Sequence, residues 1–491
     1  MLKQSSPINL TSRYQGHAYQ LQAVEAVKEL EYAALFHEQG LGKTKIGLDL
    51  ALEWIRKDVV DCVLVVTKRS LVQNWQDEIA SHTHLRARVI GQERKNNFFA
   101  LNSSTRLYVT HYEAMKSEEK RLALFLRTRR VAVILDEAQK IKNPDSEISR
   151  VLHRLAPGFV RRVIMTGTPV ANRPFDIWSQ IYFLDNGASL GRDFESFRTS
   201  LDLTNDLWSD RRKQAQFESE LGLIFDKIRS FTVRETKATA GLDLPDKTIS
   251  NVMVELEPSQ AILYKKFQGE LGAQVMRDGL IVQDGAEEIL KRLLRLVQVA
   301  SNPHLVDDSY RATPGKVPIL KGIVEDALAA DSKIIIWTTF IQNAEWLCQM
   351  FHEAGAVVVH GALGIDTRNA ALERFKHDPG TKILVATPGA AKEGLTLTVA
   401  NHAVFYDRSF SLDDYLQAQD RIHRISQTQP CYIWNLIATN SVDEWVDSLL
   451  NAKRLAAQLA QADISATEYS QLANYDFGVL VKQILGIAEE H

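Results

Sequence analysis

Lys43 and Thr44 follow two glycines, Gly40 and Gly42, in the stretch FHEQGLGKT at residues 36–44. An apolar run precedes it at 32–36, and a helical pattern begins at Lys43. Strand, glycine loop, Lys-Thr, helix is an arrangement that holds a nucleoside triphosphate: loop N–H groups and the helix dipole face the phosphates. Lys43 would reach the β and γ phosphates, and Thr44 would ligate Mg²⁺. The strict pattern has a glycine five residues before Gly42, where this chain has His37. A tight turn capping a helix would share these residues, so the loop alone does not decide.

A second cluster is VAVILDEAQ at residues 131–139. A hydrophobic strand ending in Asp136-Glu137 places both carboxylates at a sheet's carboxyl edge, where open α/β sheets bind ligands. Asp136 would hold Mg²⁺ and Glu137 would take a proton from the attacking water. A third is QAQDRIHRISQ at 417–427. Gln417, Arg421 and Arg424 are spaced i, i+4, i+7 and are expected on one helix face. Arginines of this kind neutralise transition-state charge on a transferred phosphoryl group. A surface helix salt-bridged to Asp413, Asp414 and Asp420 would look the same in isolation.

Elements must position these groups. Helical periodicity is expected at 17–30, and after Thr44 Ile46, Leu50, Trp54 and Ile55 fall on one helix face. Short apolar runs follow at 62–66, 107–109, 131–135 and 162–165, separated by helical stretches. Continuous β-branched runs alternating with helices predict a parallel sheet covered on both faces. The pattern restarts with strands expected at 333–337, 356–359, 382–386, 403–406 and 432–437. Between the two series lie a charged helical excursion at 193–228, a Gly/Pro connector at 236–247, an amphipathic helical stretch at 260–300 and a proline-rich boundary at 301–318. After Val442 the chain is expected to be mostly helical. The fold class is therefore α/β with two lobes, only the first carrying a phosphate loop.

The 491 residues exceed one core. Hydrophobic content of 45% and charged content of 24% are those of a soluble globular chain. A net charge of −3, from 58 basic and 61 acidic residues, leaves nucleic-acid binding to local surfaces. Cys62, Cys348 and Cys431 fit no metal or disulfide spacing and read as thiols in a reducing compartment. MLKQSSPINL lacks the apolar core of a signal peptide, and no stretch reaches membrane-spanning length.

Taken in order, these motifs resemble the SWI/SNF-type ATPases of helicase superfamily 2 over nearly the whole chain. HAYQLQAV at His17 resembles the adenine-reading segment, with Gln20 as the adenine contact. HEQGLGKT resembles the family's phosphate loop, which also lacks the early glycine. LVVTKRSLVQNWQDEI from Leu64, YVTHYEAM from Tyr108, LDEAQKIKNPDS from Leu135 and MTGTPVANRPFDIWS from Met165 resemble successive family motifs. So do IIIWTTF, VVHGAL, VATPGAAKEGLTLT and VFYDRSFSLDDYLQAQDRIHRISQ in the second half, and RSFTVRETKATAGLDLPDKT from Arg229 between the halves. Gln139 stands where the family usually has His, Gln39 where Met is usual, Ser426 where Gly is usual and Thr67 where Pro is common; none removes a catalytic group.

The resemblance implies two RecA-like lobes with helical insertions and a helical C-terminal tail. Its boundaries would be a polar segment 1–16, lobe 1 at 17–235, a linker and insertion at 236–318, lobe 2 with arginine fingers at 319–450, and a tail at 451–491. It implies ATP and Mg²⁺ as cofactors and a nucleotide set of Gln20, Gly40, Gly42, Lys43, Thr44, Gly394, Arg421 and Arg424. Lys43, Glu137, Arg421 and Arg424 would be catalytic, and Thr44 and Asp136 would hold the metal. Gln139, Thr166, Thr168 and Gln417 would couple hydrolysis to movement. By motif position, Lys68, Arg69, Thr110, Lys140, Lys142, Asn143, Asn172, Thr338, His360, Thr387 and Lys392 would contact DNA phosphates without reading bases. Trp75, Trp178, Trp337 and Trp445 read as core. The implied function is an ATP-driven translocase on double-stranded or branched DNA, remodelling forks or displacing bound proteins, its site completed when the lobes close. The alternative is the motor subunit of a larger DNA-processing or defence complex. An intracellular, cytoplasmic protein of bacterial or viral origin is expected, acting as a monomer in the first reading.

Overall fold

The computed structural model describes residues 9–473 apart from Gln92, Ala171 and the segments 202–210, 279–285 and 391–395. Two parallel sheets organise the chain. The first contains β1 (Tyr32–Leu35), β2 (Cys62–Thr67), β3 (Ala87–Ile90), β4 (Leu107–His111), β5 (Val131–Asp136), β6 (Arg161–Met165) and β7 (Thr232–Val233). Its order is β3-β4-β2-β5-β6-β1-β7. The second contains β8 (Lys247–Val254), β9 (Ile334–Trp337), β10 (Ala356–Val359), β11 (Ile383–Ala386), β12 (His402–Phe405) and β13 (Cys431–Ala438), ordered β10-β11-β9-β12-β13-β8.

Every residue of β2 and β5 is buried, as strands covered by helices on both faces require. Continuous apolar runs therefore marked the central strands. β3, β7 and β8 were not expected. Each is an edge strand, and β3 and β8 mix exposed with buried positions because only one side of the ladder is paired. Lys247–Val254 lies in the stretch read as linker and insertion, yet it pairs with all eight residues of β13.

The described residues divide into two compact units, those within 1–202, 220–242 and 460–463 forming the first and those within 203–219, 243–459 and 464–491 the second. The first unit's main core holds Leu35, Ile46, Leu50, Trp54, Val63, Trp75, Ile134 and Met165. In the second unit separate clusters cover the two sheet faces. A third joins the helices Pro258–Asp278, Ala286–Ser301 and Val442–Ala460 through Tyr264, Leu293, Leu296 and Trp445. Among the described residues no helix is long and apolar enough to cross a membrane.

Candidate nucleotide site

β1 leads into the glycine loop, and the helix Lys43–Arg56 leaves it. Gly40 (φ 86°) and Gly42 (φ 68°) both adopt left-handed backbone, which glycine alone takes without strain. Gly42 caps the helix, its carbonyl accepting from Lys45 N at 2.9 Å. Lys43 is buried, and its ammonium donates to the carbonyls of His37 (2.9 Å) and Glu38 (3.3 Å), so it is held inside the loop's curve.

The Gln20 amide donates to the Leu41 carbonyl at 3.1 Å, and its oxygen accepts from His17 N at 2.9 Å. Tyr19 donates to the same Leu41 carbonyl at 3.1 Å. A Cβ on Gly42 would overlap Gln20 Nε2, so the expected base-reading residue packs directly on the loop. His37 is fully buried. Burial first, then the charge of Lys43, holds its imidazole down at about 4.

At the end of β5, Asp136 Oδ2 accepts from Trp75 Nε1 (2.8 Å) and Thr67 Oγ1 (3.0 Å). Tyr112 donates to the Asp136 carbonyl at 2.8 Å. Burial, and then the neighbouring Glu137 charge, lifts the Asp136 carboxyl to about 6 against these donors and Lys43. The sequence pattern does not mark these holders: Trp75 reads as core, and Thr67 only as a stand-in for proline. Their partnership arises because β2 lies beside β5.

Glu137 is left-handed (φ 54°), a strained conformation for a side chain of its size, and this turns it out of the strand line. Gln139 Nε2 donates to Glu137 Oε2. Thr166 Oγ1 donates to Gln139 Oε1 at 2.8 Å and accepts from Thr168 N at 3.1 Å. Glu137, Gln139, Thr166 and Thr168 thus form one chain of hydrogen bonds. A Cβ on Gly167 would lie 2.9 Å from Gln39 Cγ, so this segment also packs on the phosphate loop. Lys68 Nζ lies 3.8 Å from Glu137 Oε2.

In the second unit, Gln417 lies on the helix Leu412–Gln419 and donates to Asp413 at 2.6 Å. The single helix face expected for Gln417, Arg421 and Arg424 is corrected: the helix ends at Gln419, and Arg421 follows in a turn and Arg424 in a bend. Tertiary bonds end it. The Arg421 carbonyl accepts from Leu397 N at 3.0 Å, and the Gln427 amide reaches the carbonyls of Ile422 (2.9 Å) and Ala400 (3.0 Å). Arg421 is buried, and Arg424 donates to the Asp420 carbonyl (3.0 Å) and Thr396 Oγ1 (3.1 Å).

The expected DNA contacts divide. Lys68 and Arg69 follow β2. Lys140 lies 3.5 Å from Glu113, Lys142 3.2 Å from Asp176, and exposed Asn143 accepts from Asp145 N at 2.9 Å. Asn172 is half-buried. Thr110 and Thr338 are corrected: both are buried, their hydroxyls donating to the Ile90 carbonyl (2.8 Å) and Asp407 Oδ2 (2.6 Å). Thr110 lies on β4, which is buried at every position, and Thr338 follows β9. His360 and Thr387 are also buried, His360 lying 3.3 Å from Glu345. Lys392 and Gly394 lie outside the described residues.

The profile described as SNF2-related domain matches residues 19–305, more than half of the chain. The chain belongs to the SNF2-related family. A second profile, the helicase conserved C-terminal domain, matches residues 315–426 of this SNF2 chain. An uncharacterized ATP-dependent helicase of Mycoplasma pneumoniae is 26% identical over 445 residues, covering 87% of this chain and 40% of that protein. The putative ATP-dependent helicase/translocase YwqA of Bacillus subtilis is 25% identical over 460 residues, covering 89% of this chain and 47% of its own length. The SNF2 chain thus spans less than half the length of these relatives. A solved Sulfolobus solfataricus SWI2/SNF2 ATPase core in complex with dsDNA is similar at 24% identity and a TM-score of 0.42, over 94% of this chain and 98% of that one.

Proposed function

We propose that this SNF2-family chain is a DNA-stimulated ATPase that moves along double-stranded or branched DNA. The observation that carries the reading is the bond chain from Glu137 through Gln139 to Thr166, on the same sheet edge as the phosphate loop. It ties the group placed to activate water to a segment that packs on the loop. Lys43 neutralises the β and γ phosphates, and Glu137 takes the water proton. Gln139 holds Glu137 and so links the water-activating group to the Thr166–Thr168 turn. Arg421 and Arg424 stabilise the charge that develops on the phosphoryl group.

Mg²⁺ fits the donor set: Thr67 and Trp75 both engage Asp136 Oδ2, which leaves Oδ1 for a hard cation, and Thr44 at the start of the helix after the glycine loop would supply a hydroxyl. When bound it would offset charge on the phosphates. Lys68, Arg69, Lys140 and Lys142 are the phosphate-binding candidates of the first unit, and they would grip backbone rather than read bases.

Purified protein should hydrolyse ATP faster with duplex than with single-stranded DNA. Lys43→Ala and Glu137→Gln should abolish turnover while DNA binding persists. Arg424→Ala should lower turnover by about three orders of magnitude with ATP binding retained. Unchanged turnover in the Lys43 or Glu137 variant would refute the assignment.

A further inference from the structure

The edge strand β3 of the first sheet and the helix after it carry a surface that the candidate nucleotide site does not use. Residues 84–99, HLRARVIGQERKNNFF, contain four basic residues and one acidic residue, in a chain whose net charge is −3. Phe98 and Phe99 lie on the helix Arg94–Leu101 and are 55% and 58% exposed, their rings 5.7 Å apart and edge to face. Arg94 and Lys95 precede them by four residues each, so each exposed ring is a surface neighbour of a cation.

Arg86 and Arg88 belong to the same face of the sheet. Arg88 pairs in register with Tyr108, whose ring packs on Phe125 of the helix Glu119–Thr128 at 5.5 Å. The helix Arg94–Leu101 is tied to that side by Arg121, which donates to the Arg94 carbonyl at 2.9 Å. Arg86, Arg88, Arg94 and Lys95 have no ion pair within 4.0 Å among the described residues. The one acid, Glu93, is engaged by the Asn96 amide at 2.5 Å.

Basic residues on an edge strand discourage edge-to-edge pairing, which accounts for Arg86 and Arg88 alone. It does not account for two exposed phenylalanines set beside cations on a helix. We propose that this surface binds an unpaired nucleic-acid strand, with Arg86, Arg88, Arg94 and Lys95 on phosphates and Phe98 and Phe99 stacked on bases. Inside a duplex the base faces are already stacked, so only an unpaired strand offers them to exposed rings. Arg94 and Lys95 follow the carboxyl end of β3, on the sheet edge that also carries Lys68 after β2 and Lys140 after β5. The surface therefore continues the row of phosphate-binding candidates outward. This rests on the DNA-motor reading and sharpens its substrate to duplex joined to an unpaired strand, as at a fork or branch.

The test uses the full chain without nucleotide, measuring anisotropy on a blunt duplex and on the same duplex with an unpaired tail. Phe98→Ala/Phe99→Ala should weaken binding to the tailed substrate about ten-fold or more and leave blunt-duplex binding unchanged. Phe98→Leu/Phe99→Leu, which keeps apolar area without a ring, should lose tail binding equally, with an unaltered melting temperature confirming the fold. Arg94→Ala/Lys95→Ala should lower the salt dependence of tail binding by roughly two counterions. Wild-type tail binding in either phenylalanine variant, or equal losses on both substrates, would overturn the proposal; the first of these results would leave a protein as the partner. ATP turnover on blunt duplex, assayed in parallel, tests the motor reading separately, because the tail assay needs no hydrolysis.

Discussion

His37 occupies the position where the strict phosphate-loop pattern has glycine, and its burial gives the loop a titration of its own. The ring is held neutral at about 4 against a usual value of 6.5, with Lys43 and Arg234 adding positive charge nearby. Below pH 6.5 the unfolded chain takes a proton that the folded site refuses. Stability present at neutral pH is therefore lost as pH falls from 6.5 toward 4, by about 3 kcal/mol for this group. His37→Gln should be less acid-sensitive than the wild type across that window, as read from melting temperatures against pH. Parallel curves would refute the assignment. The positions of Lys43, Asp136 and Glu137 were legible in the sequence because Lys43 opens a helix after a glycine loop and Asp136-Glu137 end an apolar strand. The holders of Asp136 were not, because Thr67, Trp75 and Tyr112 reach it from other strands and helices only once the sheet is assembled.

Between elements, buried polar groups at the carboxyl edge of the second sheet do the tying. Lys316 is fully buried, 2.5 Å from Asp443 and donating to the Tyr406 carbonyl at 2.9 Å. The next residue, Asp407, takes Thr338 Oγ1 and Thr339 N, both at 2.6 Å, and Asn343 at 3.3 Å, and its burial raises its carboxyl above the usual range. Asn343 also donates to Ser301 Oγ at 2.8 Å, and Tyr406 to the Ser301 carbonyl at 2.8 Å. The helical stretch ending at Ser301 is thus bonded to the ends of β9 and β12. Lys316→Met should destabilise by about 3–5 kcal/mol, since Asp443 loses its buried partner. Adding Asp443→Leu should recover most of that loss in denaturant titrations; an additive loss would show that the pair is not coupled. The central strands were legible as unbroken apolar runs. β8, KTISNVMV, has neither a regular polar–apolar alternation nor an unbroken apolar run, so periodicity could not tell it from a connector. The helix before Arg421 overran its true end for a related reason: the turns after it are held by Leu397 and Ala400, more than twenty residues earlier in the chain.

At the scale of the whole chain, the two-lobe α/β class was legible from the restart of strand alternation, whereas the path that the backbone takes was not. Residues 460–463 return to the first unit after the long helix of the second. There Asp463 is gripped by Arg234, whose Nε donates to it at 2.6 Å and whose Nη1 donates to the Phe36 carbonyl at 2.8 Å. Phe36 is where the phosphate loop begins. One guanidinium therefore tethers a point near the end of the described chain to the start of the candidate phosphate loop. A load applied to Asp463 would be felt at Phe36, where that loop begins, and Arg234→Ala would let the load pass it by.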